Sequence, residues 1–233
     1  MNNKIRMLLG IGSYILSFIL IVMYLFLEFS VFVITSPLVR LLILLFIFML
    51  MEIVCFLLYK VNKYKKYKLG RFNLWILFIL YLIMLFNMTL FDSYFGRING
   101  SNYLLDASNI YDRFMNSANL IPFRTIRNFI IAVSNGNLSL YVFIYNIFGN
   151  LLAFMPLALF LPKLIPFVDK WYKYFLVVSL FIILIEIMQF VLDVGSLDID
   201  DYILNIVGSM LCYIIFNIKK INKFINKFLF LED

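Results

Sequence analysis

Six stretches of the chain are almost entirely apolar, and each is close to the length that crosses a bilayer. They lie at 7–27, 38–59, 72–91, 141–161, 174–192 and 202–218. A helix of about 20 apolar residues spans the hydrocarbon core, and it satisfies its own backbone polar groups there. The pattern therefore predicts an all-α, polytopic membrane protein with six transmembrane helices.

The composition agrees with this pattern and excludes other classes of protein. Of 233 residues, 64% are apolar and 14% are charged, and the mean hydropathy is +0.99; a soluble domain is about half apolar and a quarter charged. The chain contains no histidine, which excludes Ser-His-Asp catalysis and histidine metal sites. The two cysteines, Cys55 and Cys212, lie in apolar runs and are predicted to pack in the protein interior.

The lysines and arginines are distributed unequally between the loops, and this predicts an orientation. Fifteen of the 20 lie at the N-terminus, after the second and fourth spans, or in the C-terminal tail. Basic residues stay on the cytoplasmic side, so the net charge of +7 indicates cytoplasmic loops and no nucleic-acid partner. Both termini are predicted to be cytoplasmic, and the loops 92–140 and 193–201 extracellular.

The C-terminal tail, residues 219–233, has two interpretations. Its apolar residues recur at helical spacing on one side, and its lysines lie on the other: Ile221, Phe224, Ile225 and Phe228 against Lys220, Lys223 and Lys227. A basic amphipathic helix of this kind is suited to an anionic membrane surface. The alternative is a frayed end of the sixth span.

Polar residues in three of the spans fall at similar depths below the predicted outer surface. Polar groups inside a membrane are costly and usually functional. Residues three or four apart share a helix face, and these pairs and triplets do so: Asn146 with Asn150, Glu186 with Gln189, and Asp201 with Asn205 and Gly208. If the three faces meet, they form a polar, acidic pocket that opens to the outside.

Small residues and a proline in the fourth span predict how that helix packs. Gly149 and Ala153 form a small-xxx-small pattern, which predicts a close approach to a neighbouring helix. Pro156 removes a backbone donor and is predicted to kink the helix below the pocket.

Four acids are the strongest candidates for the pocket: Glu186, Asp198, Asp200 and Asp201. Grouped carboxylates repel one another and are stabilised by cations, protons or a cationic ligand. The alternative roles are structural. Polar side chains hydrogen-bond between membrane helices, and one or two of the aspartates are suited to capping the N-terminus of the sixth span.

The long outer loop carries a second group of candidates. Asn119 begins the run Asn-Leu-Ile-Pro-Phe-Arg-Thr, in which Pro122 favours an extended residue before it. The apolar part of this run suits the membrane interface. Arg124 and Arg127 are predicted to bind an anionic group, because a guanidinium pairs with phosphate or carboxylate through two hydrogen bonds. The alternative is that both anchor the loop at lipid headgroups.

Four of these motifs, in this order, resemble the VanZ-like family. They are Asn119–Phe123, Gly149–Pro156, Glu186 with Gln189, and the series Asp198, Asp200, Asp201, Asn205 and Gly208. The resemblance covers about residues 72–218, so that residues 1–71 are predicted to be an N-terminal addition with two spans. It implies a bacterial cell-membrane protein linked to resistance to teicoplanin, a lipid-bearing glycopeptide antibiotic.

The leading hypothesis is a cell-envelope protein that lowers susceptibility to lipoglycopeptide antibiotics. Its pocket binds an envelope lipid, a lipid-linked wall precursor or the antibiotic; Arg124 and Arg127 hold an anionic group, and Glu186, Asp200 and Asp201 hold a cationic group. One alternative is a membrane enzyme that uses Mg²⁺ bound by the same three acids to act on lipid phosphates or lipid-linked wall precursors. Another is a non-catalytic membrane scaffold. The leading hypothesis requires no cofactor.

Overall fold

The chain is helical almost throughout the computed structural model, which describes residues 3–29, 36–58, 63–91 and 107–231. Within these ranges no β-strand is present, and the all-α prediction is confirmed. Parts of three predicted segments lie outside the described residues: 92–106 of the outer loop, 59–62 of the basic loop, and 232–233 of the tail.

Six helical segments are long and apolar enough to cross a membrane, and each of them corresponds to one of the six predicted spans. The segments are Lys4–Phe29, Pro37–Leu57, Tyr67–Phe91, Leu140–Leu164, Trp171–Val191 and Ile199–Asn217. In chain order the helices are α1 (Asn3–Phe29), α2 (Pro37–Leu58), α3 (Lys63–Phe86), α4 (Ala107–Ser117), α5 (Arg124–Ser134), α6 (Leu140–Ala153), α7 (Leu157–Leu164), α8 (Trp171–Val191), α9 (Ile199–Asn217) and α10 (Lys219–Phe228). A π-helical turn, Asn87–Phe91, follows α3.

The first of two compact units comprises Met1–Met88 and Ile218–Asp233. Buried Asn73 of α3 connects its first three helices, since its Oδ1 accepts from the Tyr14 hydroxyl at 2.7 Å and its Nδ2 donates to the Met51 carbonyl at 3.1 Å. The unit also contains α10. The residue directly before this helix, Ile218, has an extended backbone conformation, which separates α10 from α9. The tail therefore forms a helix of its own rather than a frayed end of α9.

The second unit comprises Thr89–Asn217, in which the fourth span is interrupted. Helix α6 ends at Ala153, three residues form a turn, and Pro156 caps the start of α7. Proline has no backbone N–H and its ring crowds the preceding turn, so the helix restarts at this residue. The predicted kink at Pro156 is confirmed as a break.

The close contact of α6 with α9 involves a different glycine from the one predicted. The surroundings of Gly149 are open, so the prediction that this small residue makes the contact is wrong. Gly208 of α9 makes it instead, because a Cβ at this position would meet the backbone carbonyl of Leu151. The two helices approach at a point where only a residue without a side chain fits.

Replacing Gly208 by alanine is expected to destabilise the protein by about 1–3 kcal/mol, since the methyl group overpacks a contact with backbone that cannot rotate away. The matched control is Gly149→Ala, which places the same methyl group in open space on α6. Thermal unfolding of the purified protein in detergent measures both. Equal midpoints for the two variants would contradict the close approach at Gly208.

Candidate functional site

Backbone hydrogen bonds join the segment before α5 to the start of α9. The N–H of Asn119 donates to the Leu197 carbonyl at 2.8 Å, and the N–H of Ile199 donates to the Asn119 carbonyl at 2.9 Å. These two bonds form a parallel bridge between residues 119 and 198. Two motifs that are 79 residues apart in the sequence therefore meet in space.

Side chains reinforce the bridge. Nδ2 of Asn119 donates to Thr125 Oγ1 and to Asp198 Oδ1, both at 2.9 Å, and the Thr125 hydroxyl donates to Asp198 Oδ2 at 2.6 Å. Oδ1 of Asp198 also accepts from the N–H of Asp200 at 2.9 Å. This last bond is an N-cap of α9, as one of the structural alternatives predicted.

Asp200 caps a different helix. Its side chain is completely buried, and it accepts from the N–H of Phe123 at 2.5 Å and from the N–H of Ile126 at 3.1 Å. Both donors lie at the N-terminus of α5, where the helix leaves N–H groups unpaired and the dipole favours a negative charge. Phe123 adopts a left-handed conformation with φ of 63°, which costs free energy for a residue with a side chain.

We call Asn119, Thr125, Asp198 and Asp200 the polar clamp. Its two carboxylates are buried and are engaged by donors from the protein itself. Asp198 and Asp200 thus hold the loop at 119–126 against α9. The sequence suggested that these two acids line an open pocket, whereas in the structure both are buried and bonded to the protein itself. The donors and the two helix N-termini stabilise the neighbouring negative charges.

Asp201 lies beside the polar clamp but contacts a different helix. Nδ2 of Asn150, on α6, donates to Oδ1 of Asp201. Asp201 and Asn150 are both half-buried. Of the three neighbouring aspartates, Asp201 is the one that meets a polar residue of the fourth span, as the helix-face argument predicted.

Glu186 and Gln189 are both buried on α8. Nε2 of Gln189 donates to the carbonyl of Thr89 at 3.0 Å, so this amide connects α8 to the π-helical turn. The predicted shared face of the two residues is therefore an inward face of the helix.

Two of the candidate asparagines differ sharply in environment. Asn146 is exposed, and its Nδ2 donates to the Val142 carbonyl of its own helix at 2.9 Å. Asn205 is buried in α9, and among the described residues its Oδ1 has no hydrogen-bond donor. The structure thus brings Asn205 into the interior of the unit and leaves Asn146 on the helix surface.

Arg124 and Arg127 are exposed at the start of α5. In the described part of the chain, no acid pairs with either guanidinium. The apolar residues just before them are also exposed: Leu120 by 57%, Ile121 by 59% and Phe123 by 62%. We call Leu120–Phe123 the apolar tip. The polar clamp holds a segment that presents apolar side chains and two cationic ones next to each other.

The family model described as VanZ/LLP1 matches residues 78–220, which is more than half of the chain. The chain belongs to the VanZ/LLP1 family. The resemblance read from the four motifs is confirmed, and the matched range contains the polar clamp and all the candidate site residues. No curated protein and no solved structure shows significant similarity to the chain.

Sequence reasoning missed Arg113 of this VanZ/LLP1 domain. From α4 its guanidinium donates to the carbonyl of Phe190 and pairs with Asp193 at 2.9 Å, and it lies 4.9 Å from the centre of the Phe190 ring. It therefore caps the C-terminus of α8, where a positive charge is favoured. No spacing in the sequence indicates this contact, because the partners are 77 residues apart or more.

The acids of the VanZ/LLP1 domain are not arranged as a metal centre in the structure described. Within the described ranges, no group of three or more Asp, Glu or Cys side chains is placed to hold a metal ion. The three acids predicted to bind Mg²⁺ lie in separate places. Glu186 is on an inward face of α8, Asp200 belongs to the polar clamp, and Asp201 contacts Asn150.

Proposed function

We propose that this VanZ/LLP1-family membrane protein lowers the susceptibility of a bacterial cell to lipoglycopeptide antibiotics such as teicoplanin. It lies in the cell membrane with the loops 92–140 and 193–201 on the outside. Its ligand is an envelope lipid, a lipid-linked wall precursor or the antibiotic itself, and all three combine hydrocarbon with polar or charged groups.

The observation that carries this proposal is the apolar tip beside Arg124 and Arg127. The backbone of Phe123 is bonded to Asp200, and Asp200 lies in the first turn of a helix that is apolar enough to span the membrane. In this proposal the tip lies at the edge of the bilayer. At this depth exposed apolar side chains contact acyl chains, while guanidinium groups reach phosphates or carboxylates.

The acids have separate roles in this proposal. Asp198 and Asp200 hold the loop in place, and neither is available to a ligand. A cationic group of the ligand is met by Asp201 and Glu186, which lie on α9 and α8. Asn150 of α6, which bonds to Asp201, and Asn205 of α9 supply neutral polar groups to the same site.

The double variant Arg124→Gln/Arg127→Gln is expected to lose protection against teicoplanin in a sensitive Gram-positive host. Each lost charge-assisted hydrogen bond weakens binding by about ten- to hundredfold. Both side chains are exposed, so their loss has little effect on stability. Minimum inhibitory concentrations of teicoplanin and vancomycin measure the effect, and membrane levels of each variant are matched.

The control is Arg71→Gln, which removes an exposed arginine far from the polar clamp in sequence and is expected to protect like the wild type. Glu186→Gln and Asp201→Asn test the acidic side of the site and are expected to reduce protection. A wild type without any protection contradicts the proposed phenotype. A fully protective double arginine variant contradicts the site.

A further inference from the structure

The C-terminal helix α10 is strongly basic and presents its charges to solvent. Four of its ten residues are lysine and none is acidic. Lys219, Lys220, Lys223 and Lys227 are all exposed, and among the described residues none of them pairs with an acid. At 3.6 residues per turn, the four lysines fall within an arc of about 100°.

A close backbone contact holds the end of this helix against the first unit. A Cβ at Gly70 of α3 would meet the carbonyl oxygens of Leu229 and Phe230, which directly follow α10. Leu229 and Asn226 are buried, and the ring of Phe228 packs edge-on against Phe48 of α2 at 5.9 Å between centroids. The face of α10 that contacts protein is thus separate from its lysine face.

The C-terminal end of α10 lies close to a membrane boundary. This end contacts Gly70, which is three residues inside the segment that begins at Tyr67. A helix of ten residues is about 15 Å long, so the whole of α10 stays within about one leaflet of this boundary.

Aromatic side chains lie between the lysine arc and the protein-facing side of α10. Phe224 is 68% exposed and Phe228 is 43% exposed, and the two rings stack at 6.1 Å between centroids. Aromatic side chains next to a lysine arc are typical of helices that lie at the boundary between headgroups and acyl chains. The aromatic face meets hydrocarbon while the ammonium groups remain at the level of the phosphates.

We propose that α10 is a docking helix for the anionic phospholipid headgroups of the leaflet on its side of the membrane. The charge complementarity is direct, since a cluster of lysines without acids attracts anionic lipid over neutral lipid. This inference rests on α10 and its contacts within the first unit, and it is independent of the proposed role in antibiotic susceptibility.

The test measures the binding of spin-labelled phosphatidylglycerol and phosphatidylcholine to the full-length protein in nanodiscs. The wild type is expected to prefer phosphatidylglycerol at low salt. The variant with Lys220, Lys223 and Lys227 changed to glutamine is expected to lower this preference by at least about fivefold, since each lysine near an anionic surface contributes a factor of about five. High salt is expected to reduce the preference of the wild type.

The control changes Lys163, Lys170 and Lys173 to glutamine, which removes the same charge from the predicted cytoplasmic side of the other unit. It is expected to keep the preference; an equal loss in both triple variants overturns the proposal. Gly70→Ala keeps every lysine but displaces the end of α10, and it is expected to weaken the preference. An undiminished preference in Gly70→Ala overturns the docked arrangement, and thermal unfolding midpoints verify that each variant is folded.

Discussion

Replacing Asp200 by alanine is expected to lower the free energy of unfolding by about 3–6 kcal/mol, because hydrogen bonds to a charged group contribute about 1.5–3 kcal/mol each and two are lost. The side chain is completely buried and accepts from the N–H groups of Phe123 and Ile126. Without the carboxylate, both donors are left in a site that water does not reach. The left-handed conformation of Phe123 then loses the bond that stabilises it.

Thermal or denaturant unfolding in detergent measures this loss, and limited proteolysis at 119–126 reports the release of the loop. The matched control is Asp169→Asn, since Asp169 is exposed before α8 and its carboxylate is bonded to Lys173 at 2.6 Å. That bond lowers the pKa of Asp169, yet an exposed pair of this kind contributes little. Equal stability of the Asp200 and Asp169 variants would show that the polar clamp does not hold the loop.

The architecture was predictable because the bilayer imposes one strong rule on the sequence. A segment such as 38–59 must be about 20 residues long, apolar and helical, whatever its neighbours are. The break at Pro156 was predictable for a similarly local reason, since proline lacks the backbone N–H and its ring crowds the preceding turn. Helix contacts follow no such local rule. Gly149 and Gly208 are both small, and only the packed structure shows which of them faces another helix.

The candidate site was predictable in part. Helical spacing placed Asp201 and Asn150 on faces that meet. The sequence did not distinguish Asp201 from Asp198 and Asp200, because all three lie in or directly before the first turn of α9, where local spacing does not show which segment each side chain meets. The role of Asp200 depends on Phe123 and Ile126, which precede it by 77 and 74 residues. Local periodicity contains no information about a partner so distant in the chain.

The ion pair between Glu28 and Arg40 shows the same limit of sequence reasoning. Each residue lies near the end of an apolar run and is typical of an exposed charge at a membrane boundary. In the structure the side chains are only 1% and 5% exposed, and Nη1 of Arg40 lies 3.3 Å from Oε2 of Glu28. Nδ2 of Asn87 donates to the same carboxylate at 2.5 Å. The cluster therefore connects α1, α2 and the π-helical turn.

Arg40→Met is expected to destabilise the protein by about 3–5 kcal/mol, because it leaves the charge of Glu28 buried without its counter-ion. The double variant Glu28→Gln/Arg40→Met is expected to recover most of this loss. The amide oxygen that Glu28→Gln places at this position still accepts a hydrogen bond from Asn87, and neither side chain is charged. Neutral replacement of a buried ion pair is often tolerated. Unfolding midpoints of the two single variants and the double variant complete a double-mutant cycle.

The sign of the coupling in this cycle decides between two descriptions of the first unit. If Glu28 and Arg40 stabilise each other, the double variant is more stable than the sum of the single losses predicts. If each residue is solvated independently at the membrane boundary, the losses are small and add. The near-complete burial of both side chains favours the first result, since a buried charge without its partner is far more costly than an exposed one.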